Sequence, residues 1–162
     1  MWKEKSRIRG VQATLNSNGK YDTKPQIALN DMLDKLKINY ENEHDCKYYA
    51  IDNFLIDYNL MIEVMGDYWH YSPIEFKGKS PTAIQERTSR RDKVKHKYIY
   101  KYYGVEVLYL WETDILKDKE KCLLLINQYI KNNGVLKSYH SFNYSCIDGS
   151  LSLNNNIIEP FN

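Results

Sequence analysis

No stretch of this chain approaches the roughly 18 consecutive apolar residues that a membrane span needs. The opening Met1-Trp2-Lys3-Glu4-Lys5-Ser6-Arg7 carries no apolar signal core behind it. The expectation is therefore a cytoplasmic protein with no membrane partner. Cysteine is scarce and odd in number: Cys46, Cys122 and Cys146 stand apart, with no CxxC pair and no metal-ligand spacing to the four histidines. That predicts reduced thiols and no structural zinc. A surplus of one charge is missing too, since a net charge of +2 is too small to argue for nucleic acid by itself. Internal repeats are absent.

What is present is a globular balance. With 162 residues, 43% hydrophobic and 27% charged, the chain suits one domain with a real core. The boundaries read as a basic N-terminal arm over 1–22 (Lys3, Lys5, Arg7 and Arg9), a core domain over 23–134, and a polar C-terminal tail over 135–162. The small charge surplus is also unevenly spread. Arg87, Arg90, Arg91, Lys93, Lys95, Lys97 and Lys101 are opposed only by Asp92, forming a local basic stripe.

Periodicity places the elements. Thr23 to Lys37 opens on Thr-Lys-Pro and spaces Ile27, Leu29, Met32, Leu33 and Leu36 as a helix. Tyr49 to Asp57 and Leu60 to Gly66 are short, apolar and rich in β-formers, with Tyr58-Asn59 as the tight turn of an antiparallel hairpin. Asn39 to Cys46 is polar and ambiguous. Thr82 to Tyr103 repeats Val94, Tyr98, Ile99 and Tyr102 at helical spacing and stops at Gly104. Val105 to Trp111 reads as a buried strand, and Asp114 to Lys131 as a last helix with Glu112 and Asp114 capping it. Asp148-Gly149 predicts a small hairpin between Tyr144–Ile147 and Ser150–Leu153.

Two acids interrupt the apolar strands. Asp52 shares a strand face with Ala50 and Phe54, and Glu63 shares one with Met61 and Met65. An unpaired charge buried there costs several kcal/mol, on the order of magnitude scale, so something must compensate it. Two converging carboxylates and a main-chain carbonyl suit a hard divalent cation. The expected metal site is Asp52, Glu63 and the carbonyl oxygen of Val64.

The order of helix, hairpin carrying Asp then Glu-x-x-Gly, helix and strand resembles the PD-(D/E)xK nuclease superfamily. Within it, Glu63-Val64-Met65-Gly66-Asp67-Tyr68-Trp69-His70, Arg91-Asp92-Lys93 and Gly104 to Glu112 are similar to very short patch repair endonucleases and related phage homing endonucleases. The resemblance implies an α/β, restriction-endonuclease-like core and a Mg²⁺-dependent DNA endonuclease, with Mn²⁺ able to substitute, in a bacterial or phage-infected cell. It implies catalytic roles for Asp52, for His70 as general acid or base, for Asp92 as its orienting partner, and for Gln26 at the family's helix-acid position. Tyr68 and Trp69 would press between base pairs, and Arg87, Arg90, Arg91, Lys93, Lys95 and Lys97 would hold double-stranded DNA by its phosphates. Two departures stand out: Gln26 replaces an acid, and Met65 occupies the place of the lysine two residues after the glutamate. They motivate the alternative of a catalytically inactive DNA-binding module.

Overall fold

Thr23 sets the first helix. A computed structural model describes residues 23–162, so the expected basic arm lies outside the described residues. α1 (Lys24–Lys35) starts with a reciprocal capping box in which Thr23 and Gln26 satisfy each other's main-chain N–H groups, and Pro25 fits the first turn. It buries Leu29, Met32 and Leu33.

Three strands follow as an antiparallel meander: β1 (Tyr40–Asp45), β2 (Ala50–Leu55) and β3 (Leu60–Met65). The expected hairpin is present, but its first strand ends at Leu55. The turn takes residues 56–59, with Asn59 at φ 53° supplying the left-handed step. β1, ambiguous in sequence, is an edge strand whose polar side chains largely face solvent.

α2 (Ala83–Tyr103) then crosses over to β4 (Leu108–Trp111), which lies parallel to β3. The helix repeats the capping device with Thr82 and Gln85, and ends at Gly104 with φ 67°. β3 and β4 are buried along their whole length, as a covered parallel pair should be. The sheet order is β1-β2-β3-β4.

The expected last helix is two helices, α3 (Glu112–Lys117) and α4 (Lys119–Lys131). Asp118 leaves helical geometry at φ −138° and its side chain accepts from the Lys121 N–H, so it caps the second helix and ends the first. Glu112 and Asp114 sit in the first turn of α3 without capping it. α1 and α4 pack on one face of the sheet against Ile62, Val64, Leu108 and Leu110. The other face holds Met61, Met65, Tyr109 and Trp111 under Ile99 of α2 and Phe161.

The C-terminal stretch forms the expected hairpin, β5 (Tyr144–Ile147) with β6 (Ser150–Leu153). It also joins the core. Tyr139 O accepts from the Tyr109 N–H at 2.7 Å, and Ser141 Oγ accepts from the Trp111 N–H at 2.9 Å, so residues 139–141 line the free edge of β4. Ser138, His140, Ser141 and Asn143 are buried. Among the described residues no helix is long and apolar enough to cross a membrane.

Candidate active site

Asp52 sits where the sheet comes apart. β2 pairs with β3 as far as Asn53↔Ile62, and continuing that register by one step sets Asp52 opposite Glu63. On its other side Asp52 would face Glu43, but Glu43 adopts φ 50° and the ladder skips that pair. Side chains fill the gap. Asp52 Oδ2 accepts from the Val64 N–H at 2.8 Å, and the Asp52 carbonyl accepts from Asn42 Nδ2 at 3.1 Å. Asn42 exchanges hydrogen bonds with Asn30 of α1, which also accepts from Asn53 Nδ2 at 2.8 Å. The break in the ladder is thus held from both sides.

Gln26 completes the support. Its Oε1 accepts from the Thr23 N–H at 2.9 Å as part of the helix cap, while its Nε2 donates to Asp52 Oδ1 at 3.2 Å. One amide does both jobs. A carboxylate at that position could cap the helix but would face Asp52 with like charge.

Glu63 lies one strand over, 7% exposed. Burial, and next the facing Asp52 carboxylate, push its carboxyl well above the usual range, against the opposing pull of Lys95. Lys95 Nζ donates both to Glu63 Oε1 and to the Ala50 carbonyl, the latter at 2.8 Å. Burial alone would lower the Lys95 ammonium, but Glu63, Asp52 and Asp92 outweigh it and hold it above its ordinary value. One ammonium therefore stands against two carboxylates, Glu63 buried and Asp52 half-buried.

Lys95 was expected on the phosphate-facing stripe; its ammonium lies against Glu63 and the Ala50 carbonyl. Helical geometry gives the reason. Asp92 and Lys95 are three residues apart and share a face, with Gln85 and Ile99 on the same inward stripe. Arg87, Arg90, Arg91, Lys93 and Lys97 remain exposed on the rest of the helix surface. The signal that could have found Lys95 was this spacing from Asp92.

The segment after β3 brings in His70. Its Nδ1 lies 2.7 Å from Asp92 Oδ2, leaving Nε2 as the nitrogen available for proton transfer. The loop is pinned at Asp67, whose Oδ2 accepts from the Thr113 N–H at 3.1 Å and from Thr113 Oγ1 at 2.5 Å. The Asp67 N–H donates back to Glu112 Oε1 at 3.1 Å. Because β3 and β4 run parallel, their carboxyl ends meet here, and the stapled turns form one rim. Gln85 Nε2 donates to the Tyr68 carbonyl at 2.7 Å and ties α2 to the same loop.

Together Gln26, Asp52, Glu63, Val64, His70 and Glu112 line a cleft of about 470 Å³. Tyr68 and Trp69 stand at its lip, 50% and 58% exposed, with their rings edge to face at 5.3 Å. For aromatic side chains beside a polar cleft, that exposure makes them available to a ligand rather than to the core.

Among the described residues, no group of three or more His, Cys, Asp or Glu side chains is arranged to hold a metal ion. The smaller donor set expected from the sequence is two carboxylates and a main-chain oxygen. Such hard oxygen donors fit Mg²⁺, which binds through one or two carboxylates and completes its shell with water and phosphate oxygens. Comparison with known proteins finds no family model and no curated relative that matches this chain.

Proposed function

We propose that the chain is a Mg²⁺-dependent endonuclease of restriction-endonuclease-like fold that hydrolyses phosphodiester bonds in double-stranded DNA. The observation that carries this reading is one cleft at the carboxyl ends of β3 and β4 lined by Asp52, Glu63 and His70, with Lys95 held on Glu63 and Asp92 on His70. The order of the motifs in the sequence, similar to repair and homing endonucleases, supports it.

Asp52, Glu63 and the Val64 carbonyl would hold the divalent ion, with Mn²⁺ able to replace Mg²⁺. When bound, the ion supplies Lewis acidity toward the scissile phosphate and toward water. His70 Nε2 moves the proton between water and the leaving 3′ oxygen, while Asp92 fixes the ring. Water adds to phosphorus, the P–O3′ bond breaks, and the products are a 5′-phosphate and a 3′-hydroxyl. Arg87, Arg90, Arg91, Lys93 and Lys97 hold the DNA backbone, and Tyr68 and Trp69 press against bases at the cleft mouth. Lys95 stands apart from these exposed cations, with its ammonium on Glu63.

A second reading, a DNA-binding module that has lost catalysis, draws on Gln26 in place of an acid and on Lys95 already neutralising Glu63. A plasmid assay separates the two. The wild-type chain is expected to nick or linearise supercoiled DNA in Mg²⁺ or Mn²⁺, and Asp52→Ala to abolish this while leaving DNA binding intact. Wild-type protein that binds duplex DNA yet leaves plasmids, mismatched duplexes and single strands uncut in both metals is the module.

A further inference from the structure

The cleft is provisioned for a cation before any metal arrives. Each carboxylate oxygen can accept two hydrogen bonds, and the donors already pressing on this pair are an amide, a main-chain N–H and an ammonium. The ammonium differs from the other two in kind. It carries a full charge, sits on Glu63, and is anchored from behind by the Ala50 carbonyl, so its place does not depend on a ligand. A divalent ion bonded to Glu63 would stand within a few ångströms of that ammonium, where like charges repel strongly in a half-buried site. With two acids rather than three, little surplus negative charge is left to offset the repulsion.

We propose that Lys95 is a tethered counter-cation that competes with the divalent ion for Glu63, keeping the site weakly metal-binding until the ammonium moves aside. The inference rests on the divalent-cation reading of the cleft and is indifferent to what the cleft cuts. Functionally, Lys95 holds two carboxylates together that would otherwise repel, at the cost of metal affinity. The ammonium released from Glu63 is then a ready partner for the anionic phosphate that accompanies the metal. Lys95 is a positioning residue in this scheme, acting through Glu63.

The test needs no DNA and no turnover. Mn²⁺ is titrated into the folded chain at mildly alkaline pH, and free ion is followed by its electron paramagnetic resonance signal. Lys95→Met is expected to bind Mn²⁺ at least about tenfold more tightly than wild type, a difference of ~1.4 kcal/mol. Lys131→Met, which removes the same charge from the exposed end of α4, is expected to leave the affinity unchanged. Lys95→Gln serves if the methionine variant does not fold, since it keeps a donor for Ala50 and Glu63 without the charge. In the wild-type chain, reductive methylation read by mass spectrometry is expected to label Lys95 more readily when Mg²⁺ is added. Equal Mn²⁺ affinity in wild type and both Lys95 variants overturns the competition while leaving the endonuclease reading intact. Absence of Mn²⁺ binding in every variant overturns both.

Discussion

Two largely buried lysine–carboxylate pairs lie near the carboxyl ends of β3 and β4, and they differ in what surrounds the acid. Lys121 Nζ donates to Asp114 Oδ1 at 2.6 Å and to the Tyr144 carbonyl at 3.1 Å, while Ser141 Oγ donates to Asp114 Oδ2 at 2.7 Å. One cation meets one anion, every strong partner is protein, and the pair clasps the C-terminal segment to α3 and α4. Lys95 instead stands behind Glu63, which lines the cleft together with a second carboxylate, Asp52. The first pair joins the C-terminal segment to the fold, and the second sits against a carboxylate that faces the cleft. The histidines repeat the contrast. His140 is enclosed by Tyr109, Phe142 and Phe161 and accepts from Trp111 Nε1 at 3.1 Å, whereas His70 lines the cleft against Asp92.

The contrast can be broken by exchanging which property each variant damages. His70→Ala is expected to lower DNA cleavage by about 10²–10⁴-fold with little change in the denaturation midpoint; the check is single-turnover cleavage beside a urea melt. Lys121→Met removes the cation from a largely buried carboxylate that keeps only its Ser141 hydrogen bond, and is expected to cost up to ~3 kcal/mol of stability, read by the same melt. Lys95→Met should cost less than Lys121→Met, because burial and Asp52 already push the Glu63 carboxyl up, which lets it take up a proton once the ammonium is gone. If Lys95→Met unfolds the chain more severely than Lys121→Met, the open pair is structural after all.

Acid sharpens the comparison of the histidines. Burial, with His96 adding, pushes His140 down to about 3. An unfolded histidine protonates near pH ~6.5, so between there and about 3 the unfolded chain binds the additional proton. Stability should therefore be full above that window and fall as pH drops through it. His140→Phe should flatten this fall, and urea melts at several pH values measure it. The smallest effect belongs to Gln26. Gln26→Ala loses half of a capping box, ~1 kcal/mol of stability, together with one hydrogen bond to Asp52, and both show in thermal melts and cleavage rates.

Much of the fold could be read from pattern. Leu29, Met32 and Leu33 mark α1 by their spacing, and Asp148-Gly149 marks the last hairpin by the turn it requires. The facing of Asp52 and Glu63 follows from period-two alternation once the two strands pair. What could not be read depended on partners distant in sequence. β1 is polar because it is an edge, so it lacks alternation. The break at Asp118 comes from a side chain choosing to cap rather than continue a helix. Residues 138–144 look like a polar tail because their serines, His140 and Asn143 are satisfied by other buried groups instead of by water. Lys95 looked like one more surface cation, since its inward turn is fixed by Asp92 and Glu63 rather than by its neighbours in the chain.

The most direct test is the location of Mn²⁺ in crystals soaked with the ion, read from its anomalous scattering. A peak between the Asp52 and Glu63 carboxylates, with Lys95 Nζ displaced from Glu63, is the expected result. A well-ordered cleft with no peak and the ammonium still seated on Glu63 would contradict a metal-dependent nuclease here.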